Sequence, residues 1–217
     1  MSYRVKELFY SLQGEGCRAG RPAVFIRFSG CNLWSGREAD RARAGCRICD
    51  TDFVGTDGPG GGLYASAGEL AARAHLLWPA APAARPYVVC TGGEPLLQLD
   101  APLVAALHDA GFEVGVETNG TAAPPPGIDW ICVSPKPGVA LVARRGQELK
   151  LLYPLDGAEP GTGVDPADYL DLDFENFCLQ PVDGPQVEIA TQRAVSYCLA
   201  HPRWRLSLQL HKILRIL

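Results

Sequence analysis

The sequence lacks the features that mark several classes of protein. None of its apolar runs approaches the roughly 18 to 20 residues needed to cross a bilayer, and its first residues (MSYRVKELFYSLQGEG) contain no apolar segment followed by the small-residue cleavage site of a signal peptide. Lysine and arginine total 20 against 24 acidic residues, whereas proteins that bind duplex nucleic acid usually carry a basic excess. We therefore expect a cytoplasmic protein without a membrane anchor or a nucleic-acid partner.

The sequence also has no internal repeat of the length found in solenoids, and we place no domain boundary in it. Of its 217 residues, 47% are hydrophobic and 20% are charged. These values are close to the averages for globular proteins and exclude disorder for the bulk of the chain. A chain of this length suits one domain, so we predict a single domain over residues 1–217.

Short apolar runs recur along the chain and predict buried strands. Most are continuously apolar rather than alternating, which is typical of strands buried on both faces of a parallel sheet. The runs lie at 23–28 (AVFIRF), 87–90, 113–117, 130–134, 148–153, 176–180 and 204–210 (WRLSLQL), and helical patterns cover 67–77, 102–110 and 187–200. The alternation predicts an α/β fold with right-handed parallel connections.

Polar residues gather directly after five of these strands. In parallel β/α barrels the carboxyl ends of the strands converge on one face, and the active site is built there. We therefore predict that the five polar segments share one pocket. The segments are Thr91–Glu94, Thr118–Gly120, Pro135–Lys136, Pro181–Asp183 and His211–Lys212.

Three of the eight cysteines are clustered: Cys31, Cys46 and Cys49, with fourteen and two residues between them. Thiolates suit zinc or an iron–sulfur cluster. A structural zinc site takes four protein ligands, for which Cys17 or His211 could supply the fourth, whereas three cysteines alone fit a [4Fe–4S] cluster with one open iron. The remaining cysteines, in apolar stretches, fit buried small hydrophobes: Cys90, Cys132, Cys178 and Cys198.

The segment Thr91-Gly92-Gly93-Glu94-Pro95 resembles the glycine motif of radical S-adenosylmethionine enzymes. The enlarged spacing between Cys31 and Cys46 departs from the usual three residues and resembles one branch of the 7-carboxy-7-deazaguanine synthases. The resemblance covers nearly the whole chain, in order, through LFYSLQGEG, CNLWSGRE, CDTDFVGTDG, CTGGEP, ETNG, WICVSPK, LK, QPVDGP and WRLSLQLHK.

The resemblance implies an incomplete TIM-like parallel β/α barrel of the radical S-adenosylmethionine type. The reaction it implies is the ring contraction of 6-carboxy-5,6,7,8-tetrahydropterin to 7-carboxy-7-deazaguanine with loss of ammonia, a step in queuosine and 7-deazapurine synthesis. It also implies an external electron donor such as a flavodoxin or ferredoxin, and a homodimer.

The resemblance assigns residues to three cofactors. Cys31, Cys46 and Cys49 would ligate a catalytic [4Fe–4S] cluster whose fourth iron binds S-adenosylmethionine, and the Thr51 hydroxyl would help hold Mg²⁺. The implied contacts to S-adenosylmethionine are Ile48, Cys49, Asp50, Gly93, Ser134, Pro135, Lys136, Gln180, Pro181, Val182 and Asp183. An aromatic residue is common where this chain has Ile48.

The resemblance also implies a set of substrate contacts. A pterin presents an edge of donors and acceptors that Gln13 and Glu15 can pair with, and its carboxylate suits the two-pronged guanidinium of Arg27. The full set is Leu12, Gln13, Gly14, Glu15, Arg27, Thr91, Glu117, His211 and Leu217.

Two other functions share part of the pattern. An activating enzyme that places a glycyl radical on a partner protein would have the same cysteines and glycine motif but no pterin pocket. A structural zinc-binding interaction module would share only the cysteines.

Overall fold

A nine-stranded sheet organises the protein, whose structure is a computed structural model describing residues 2–80, 85–155 and 163–217. The strand order is β3-β1-β2-β4-β5-β6-β7-β8-β9. The strands are β1 (Tyr3–Leu12), β2 (Pro22–Phe28), β3 (Gly62–Tyr64), β4 (Tyr87–Gly92), β5 (Glu113–Thr118), β6 (Trp130–Val133), β7 (Arg145–Tyr153), β8 (Asp173–Pro181) and β9 (Trp204–Leu206).

The ladder from β2 through β4 to β9 is parallel throughout, as the continuously apolar runs predicted. The strands β1 and β3 add an antiparallel edge, which the sequence analysis did not assign. In β1 charged and apolar residues are interspersed (YRVKELFYSL), and a bulge falls between Val5 and Glu7. The charged residues interrupt its apolar residues, so no continuous apolar run marks this strand in the sequence.

The helices are α1 (Ala67–His75), α2 (Ala101–Asp109), α3 (Val187–Ala200) and α4 (Leu210–Leu214). The first three agree with the sequence patterns to within two residues at each end. Ser66 and Asp100 cap α1 and α2 by accepting hydrogen bonds from Glu69 N and Leu103 N. No helix lies in the described residues between β5 and β6 or between β6 and β7, so the predicted alternation holds for only part of the chain.

Two apolar clusters pack helices against the sheet. One packs α1 and α2 against β1, β2, β4 and β5, and the other packs α3 against β7, β8 and β9. Among the described residues, no helix has the length and apolar character needed to cross a membrane.

The end of the chain differs from its predicted strand at 204–210. The strand β9 stops at Leu206, and α4 begins at Leu210, whose N–H donates to Gly14 O at 2.8 Å. This contact fixes the final helix beside the segment that follows β1. The pairing depends on a residue far away in sequence, which a local apolar pattern does not reveal.

Two arginines bind a carboxylate at the amino end of β5, and we call Glu113, Arg18 and Arg21 the carboxylate clamp. Glu113 pairs with Arg18 and, at 2.6 Å, with Arg21, and the Arg21 guanidinium lies 4.1 Å from the centre of the Tyr87 ring. Burial acts against ionisation of Glu113, but the hydrogen bonds and charges of the two arginines lower its pKa from 4.5 to about 2. The clamp joins the turn after β1 to the parallel sheet.

We expect Glu113→Gln to destabilise the fold at neutral pH. Because the pKa of Glu113 is lowered in the folded state, its stabilising contribution is present above its unfolded pKa near 4.5 and is lost as the pH falls toward 2. A shift of this size corresponds to about 3 kcal/mol. The free energy of unfolding is measured with urea for parent and variant, at pH 7 and at the lowest pH where both proteins fold. The difference between parent and variant should be smaller at the lower pH, and an equal difference at the two pH values would contradict the assignment.

Candidate active site

A cavity of about 640 Å³ lies at the carboxyl ends of the parallel strands. Each of the five polar segments predicted to share a pocket contributes to its lining, so that prediction is confirmed. The fifth, His211 and Lys212, reaches it from α4 rather than from a strand end. The contributing residues are Thr91, Gly92, Gly93, Thr118, Asn119, Lys136, Val182, Asp183, His211 and Lys212.

Cys31, Cys46 and Cys49 all line this cavity, together with Ile48 and Thr51. Burial raises the pKa of the Cys31 thiol and that of the Cys49 thiol. A neighbouring cysteine adds to each shift: Cys49 raises the pKa of Cys31, and Cys46 raises the pKa of Cys49. The long segment between Cys31 and Cys46 therefore still brings the three cysteines to one wall.

The enlarged loop is held by its own side chains. The Arg41 guanidinium lies 4.0 Å from the centre of the Trp34 ring, and the Trp34 ring packs edge-on against Phe53. Arg41 also donates hydrogen bonds to Arg47 O and Cys49 O at 3.1 and 3.0 Å. The insertion thus braces the backbone that carries the last two cysteines.

Gly93, directly after β4, allows its backbone to lie against Gly30 and Cys31. A Cβ on Gly93 would lie 2.3 Å from Gly30 O and 2.8 Å from the Cys31 Cβ. Only glycine fits so close a contact without displacing the backbone around Cys31.

Glu94 joins two strand ends, a role the sequence analysis did not give it. It is fully buried, and its carboxylate accepts hydrogen bonds from Thr118 Oγ1 at 2.7 Å and from Asn119 N at 2.8 Å. Burial raises the pKa of this carboxyl, while these bonds act the other way. Glu94 belongs to the motif TGGEP, and its two partners belong to the motif ETNG. The two motifs are therefore the feature of the sequence that marks this contact.

A buried lysine, Lys150, pairs with two of the carboxylates that line the cavity. Lys150 Nζ lies 2.5 Å from Glu15 Oε2 and 3.6 Å from Glu117 Oε1, and Gln13 Nε2 donates to Glu117 Oε1 at 2.9 Å. Burial acts against ionisation of Glu15, but the charge of Lys150 and its hydrogen bond lower the pKa of Glu15 to about 2. Lys150 is not among the predicted site residues, although a lysine within the apolar run ELKLLY is a signal for such a role.

All of the predicted substrate contacts line the cavity: Leu12, Gln13, Gly14, Glu15, Arg27, Thr91, Glu117, His211 and Leu217. The Arg27 Nε donates to Glu7 Oε1 at 2.6 Å across the β1–β2 pair. Leu217 is held at the cavity by its carbonyl oxygen, which accepts from Ser11 Oγ at 2.7 Å.

Most of the predicted cofactor contacts line it as well: Ile48, Cys49, Asp50, Gly93, Ser134, Lys136, Gln180, Val182 and Asp183. Pro135 and Pro181 are buried and are not among the lining residues. Lys136 Nζ donates to Ser134 Oγ at 2.7 Å, and burial lowers the pKa of Lys136.

Lys212 connects the cysteine loop to the end of β8, a further role the sequence did not reveal. Its Nζ lies 2.5 Å from Asp50 Oδ2 and 2.7 Å from Asp183 Oδ2. Helix α4 therefore closes one side of the cavity through this pair of contacts.

The three clustered cysteines line one cavity but are not gathered around a single point. Among the described residues, three ligand atoms lie within 4.8 Å of one another only at Cys17, Glu148 and Cys178. Cys17 contacts Cys178 at 3.5 Å and does not line the cavity, which argues against it as a fourth ligand.

No protein-family model matches the chain, but individual relatives match it along its length. A 7-carboxy-7-deazaguanine synthase from Bradyrhizobium diazoefficiens is 62% identical over 216 residues, and one from Bordetella pertussis is 59% identical over 216 residues, each alignment covering 100% of both chains. The crystal structure of QueE from Escherichia coli is 28% identical, with a TM-score of 0.67 over 97% of this chain and 95% of that chain. This likeness confirms the α/β class and the incomplete barrel.

Proposed function

The chain belongs to the 7-carboxy-7-deazaguanine synthases, a family of radical S-adenosylmethionine enzymes, and from this premise we propose its substrate and the roles of its residues. The substrate is 6-carboxy-5,6,7,8-tetrahydropterin, and the products are 7-carboxy-7-deazaguanine and ammonia. The observation that carries the proposal is that one cavity joins the three-cysteine wall to the wall of Gln13, Glu15, Arg27 and Glu117.

Cys31, Cys46 and Cys49 would hold the [4Fe–4S] cluster, since three thiols on one wall leave one iron without a protein ligand. Gly93, Ser134 and Gln180 would hold S-adenosylmethionine at the strand ends beside it. The radical chemistry itself comes from the bound cluster and S-adenosylmethionine. The chain contributes position, charge and the exclusion of water.

We expect Gly93→Ala to weaken binding of S-adenosylmethionine by at least about tenfold. The added Cβ would displace Gly30 and Cys31, so bound iron should fall as well. Equilibrium dialysis with the reconstituted protein measures the dissociation constant. Gly68→Ala is the matched control, because Gly68 lies in α1 with no atom within 4 Å of the new Cβ. Affinity equal to that of the parent in Gly93→Ala would remove Gly93 from the cofactor wall.

The wall around Lys150 would recognise the pterin edge. Because its pKa is about 2, Glu15 stays ionised at neutral pH and accepts hydrogen bonds from ring or amino N–H groups. Lys150 compensates the charge of Glu15 and Glu117, which lie 2.5 and 3.6 Å from it. Arg27 would bind the substrate carboxylate while Glu7 fixes its Nε.

Thr51 lines the cavity two residues after Cys49 and would offer an oxygen ligand to Mg²⁺. The flanking carboxylates are already paired, Asp50 with Lys212 at 2.5 Å and Asp52 with Lys6 at 2.9 Å. Thr51 lies between these two paired carboxylates in sequence, and its hydroxyl would supply a neutral oxygen to the ion, which keeps most of its water ligands.

Anaerobic turnover tests the proposed reaction. The reconstituted protein is mixed with 6-carboxytetrahydropterin, S-adenosylmethionine, Mg²⁺ and dithionite, and products are followed by liquid chromatography with mass detection. We expect 7-carboxy-7-deazaguanine and ammonia in equal amounts, with no net consumption of S-adenosylmethionine. Cleavage of S-adenosylmethionine without a deazaguanine product would overturn the substrate assignment and leave the cluster assignment standing.

The remaining features of the proposal concern the whole protein. We propose a single radical S-adenosylmethionine core domain, an electron donor of the flavodoxin or ferredoxin class, and a cytoplasmic homodimer. All eight cysteines are free thiols, as a reducing compartment would keep them. The apolar side chains of Ile213, Leu214 and Ile216 are exposed on the final segment, where a second copy could cover them.

A further inference from the structure

A second group of cysteines lies outside the cavity wall that holds the clustered three. Cys17, in the turn that follows β1, places its Sγ 3.5 Å from the Sγ of Cys178 in β8. Cys178 is 1% exposed, whereas Cys17 is only half-buried. An accessible thiol thus touches a buried one, although 161 residues separate them in sequence.

A cation and a carboxylate surround the pair. Arg205 Nη1 lies 3.6 Å from Cys17 Sγ and donates to Asn176 Oδ1 at 3.1 Å. Glu148 Oε2 accepts from Cys17 N at 3.0 Å, and its Oε1 lies 3.5 Å from Cys132 Sγ. The hydrogen bond from Cys178 and the charge of Arg205 lower the pKa of Cys17 to about 7, which raises the fraction of the nucleophilic thiolate.

These contacts favour thiol chemistry over a metal ion. A guanidinium in contact with the Cys17 sulfur would repel a metal cation at the same atom, but it stabilises a thiolate. The Glu148 carboxylate already accepts the Cys17 N–H. The arrangement is that of an attacking thiol with a second thiol behind it to complete a disulfide.

We propose that Cys17 and Cys178 form a reversible disulfide by exchange with a low-molecular-weight disulfide such as oxidised glutathione. The Cys17 thiolate attacks one sulfur of glutathione disulfide and expels one glutathione thiolate. Cys178 gives its proton to the glutathione thiolate expelled in the first step, then attacks Cys17 Sγ and expels the second glutathione as a thiolate, which takes a proton from water. One glutathione disulfide is reduced to two glutathione molecules, and the two cysteines are oxidised.

Closure of the disulfide would move the substrate wall. The two sulfurs must approach from 3.5 Å to about 2.05 Å. Glu15, a proposed substrate contact, lies two residues before Cys17. Between them, Gly16 N donates to Ser207 Oγ at 2.8 Å, and the Ser207 hydroxyl donates in turn to Gln180 Oε1. We expect oxidation to weaken binding of 6-carboxytetrahydropterin by about threefold or more; this second expectation rests on the proposed function.

The test uses the cluster-loaded protein in anaerobic buffer with oxidised glutathione. Free thiols are then alkylated in acid-quenched samples, and tryptic peptides are analysed by mass. The expected species joins peptide 7–18 to peptide 151–193, each of which contains one cysteine, and dithiothreitol should reverse it. Cys178→Ser should instead accumulate a glutathione adduct on Cys17, whereas Cys198→Ser should behave as the parent does.

Three results would overturn the proposal. One is complete alkylation of Cys17 and Cys178 in the parent after exposure to oxidised glutathione. Another is the absence of the glutathione adduct in a Cys178→Ser protein whose circular dichroism and melting temperature match those of the parent. The third is one equivalent of zinc in the purified parent that Cys178→Ser loses, which would assign the group to a metal. If the disulfide forms but the reduced protein binds no pterin, the proposed function fails and the dithiol stands.

Discussion

Replacing any one of Cys31, Cys46 or Cys49 by alanine is expected to abolish turnover and to strip most of the bound iron. All three side chains line one cavity. Cys132 lines it too, but this thiol is buried and contacts Glu148 Oε1 at 3.5 Å. Two thiolates cannot hold a cluster that already leaves one iron to an external ligand. Iron and sulfide content, the visible absorption of the reconstituted protein, and cleavage of S-adenosylmethionine measure the effect.

The matched control is Cys90→Ala. Cys90 lies in β4, one strand from the cluster loop, and is fully buried in the apolar core. Its loss should cost stability of about 1 kcal/mol, the scale of small core deletions, and should leave the iron content unchanged. Iron loss in Cys90→Ala equal to that in Cys31→Ala would mean that the ligands were assigned to the wrong cysteines.

The parts of this site that the sequence predicts are those built from local patterns. Parallel strands place their carboxyl ends on one face, so five polar strand ends predict one pocket without knowledge of any long-range contact. The cysteine spacing and the glycine motif are likewise local. For that reason the sequence predicts the position of Thr91, Gly93 and Lys136, which line the cavity.

The parts that the sequence does not predict depend on pairs far apart in the chain. Lys150 meets Glu15 across 135 residues, and Lys212 meets Asp50 across 162. Nothing in the run ELKLLY tells which acid its lysine will face. The contact of Cys17 with Cys178 is of the same kind, since each thiol alone is typical of a small buried hydrophobe.

The edge strand β3 and the final helix α4 are not predicted from the sequence for a related reason. The strand β3 has only three residues (GLY), too few for a periodic pattern. The run WRLSLQL has the pattern of a strand, but the strand ends at Leu206. Leu210, at the end of the run, begins α4 and donates its N–H to Gly14 O instead of continuing the sheet. Tertiary contacts here override local propensity.

The second large effect is expected from Lys150→Met, which keeps most of the side-chain volume and removes the charge. Glu15 and Glu117 would then face each other without a cation, in a site where Lys150 is 5% exposed. Removing one partner of a buried pair costs about 3 to 5 kcal/mol. For a chain of this size we expect the melting temperature to fall by about 6 to 20 °C.

Substrate binding should suffer more than cofactor binding, and its pH dependence should change in a defined direction. In the parent the pKa of Glu15 is about 2, so Glu15 is ionised throughout the neutral range and adds no pH dependence there. Without Lys150 burial raises this pKa, the carboxyl holds its proton at neutral pH, and the acceptor for the pterin edge is lost. The dissociation constant for 6-carboxytetrahydropterin should rise by about a hundredfold or more at neutral pH and should fall again as the pH is raised.

The double variant Glu15→Gln with Lys150→Met separates the loss of stability from the loss of affinity, because the amide neither carries a buried charge nor has to take up a proton. We expect it to recover most of the melting temperature and none of the affinity. Recovery of both would show that Lys150 acts on the fold alone, with no part in the recognition of the pterin.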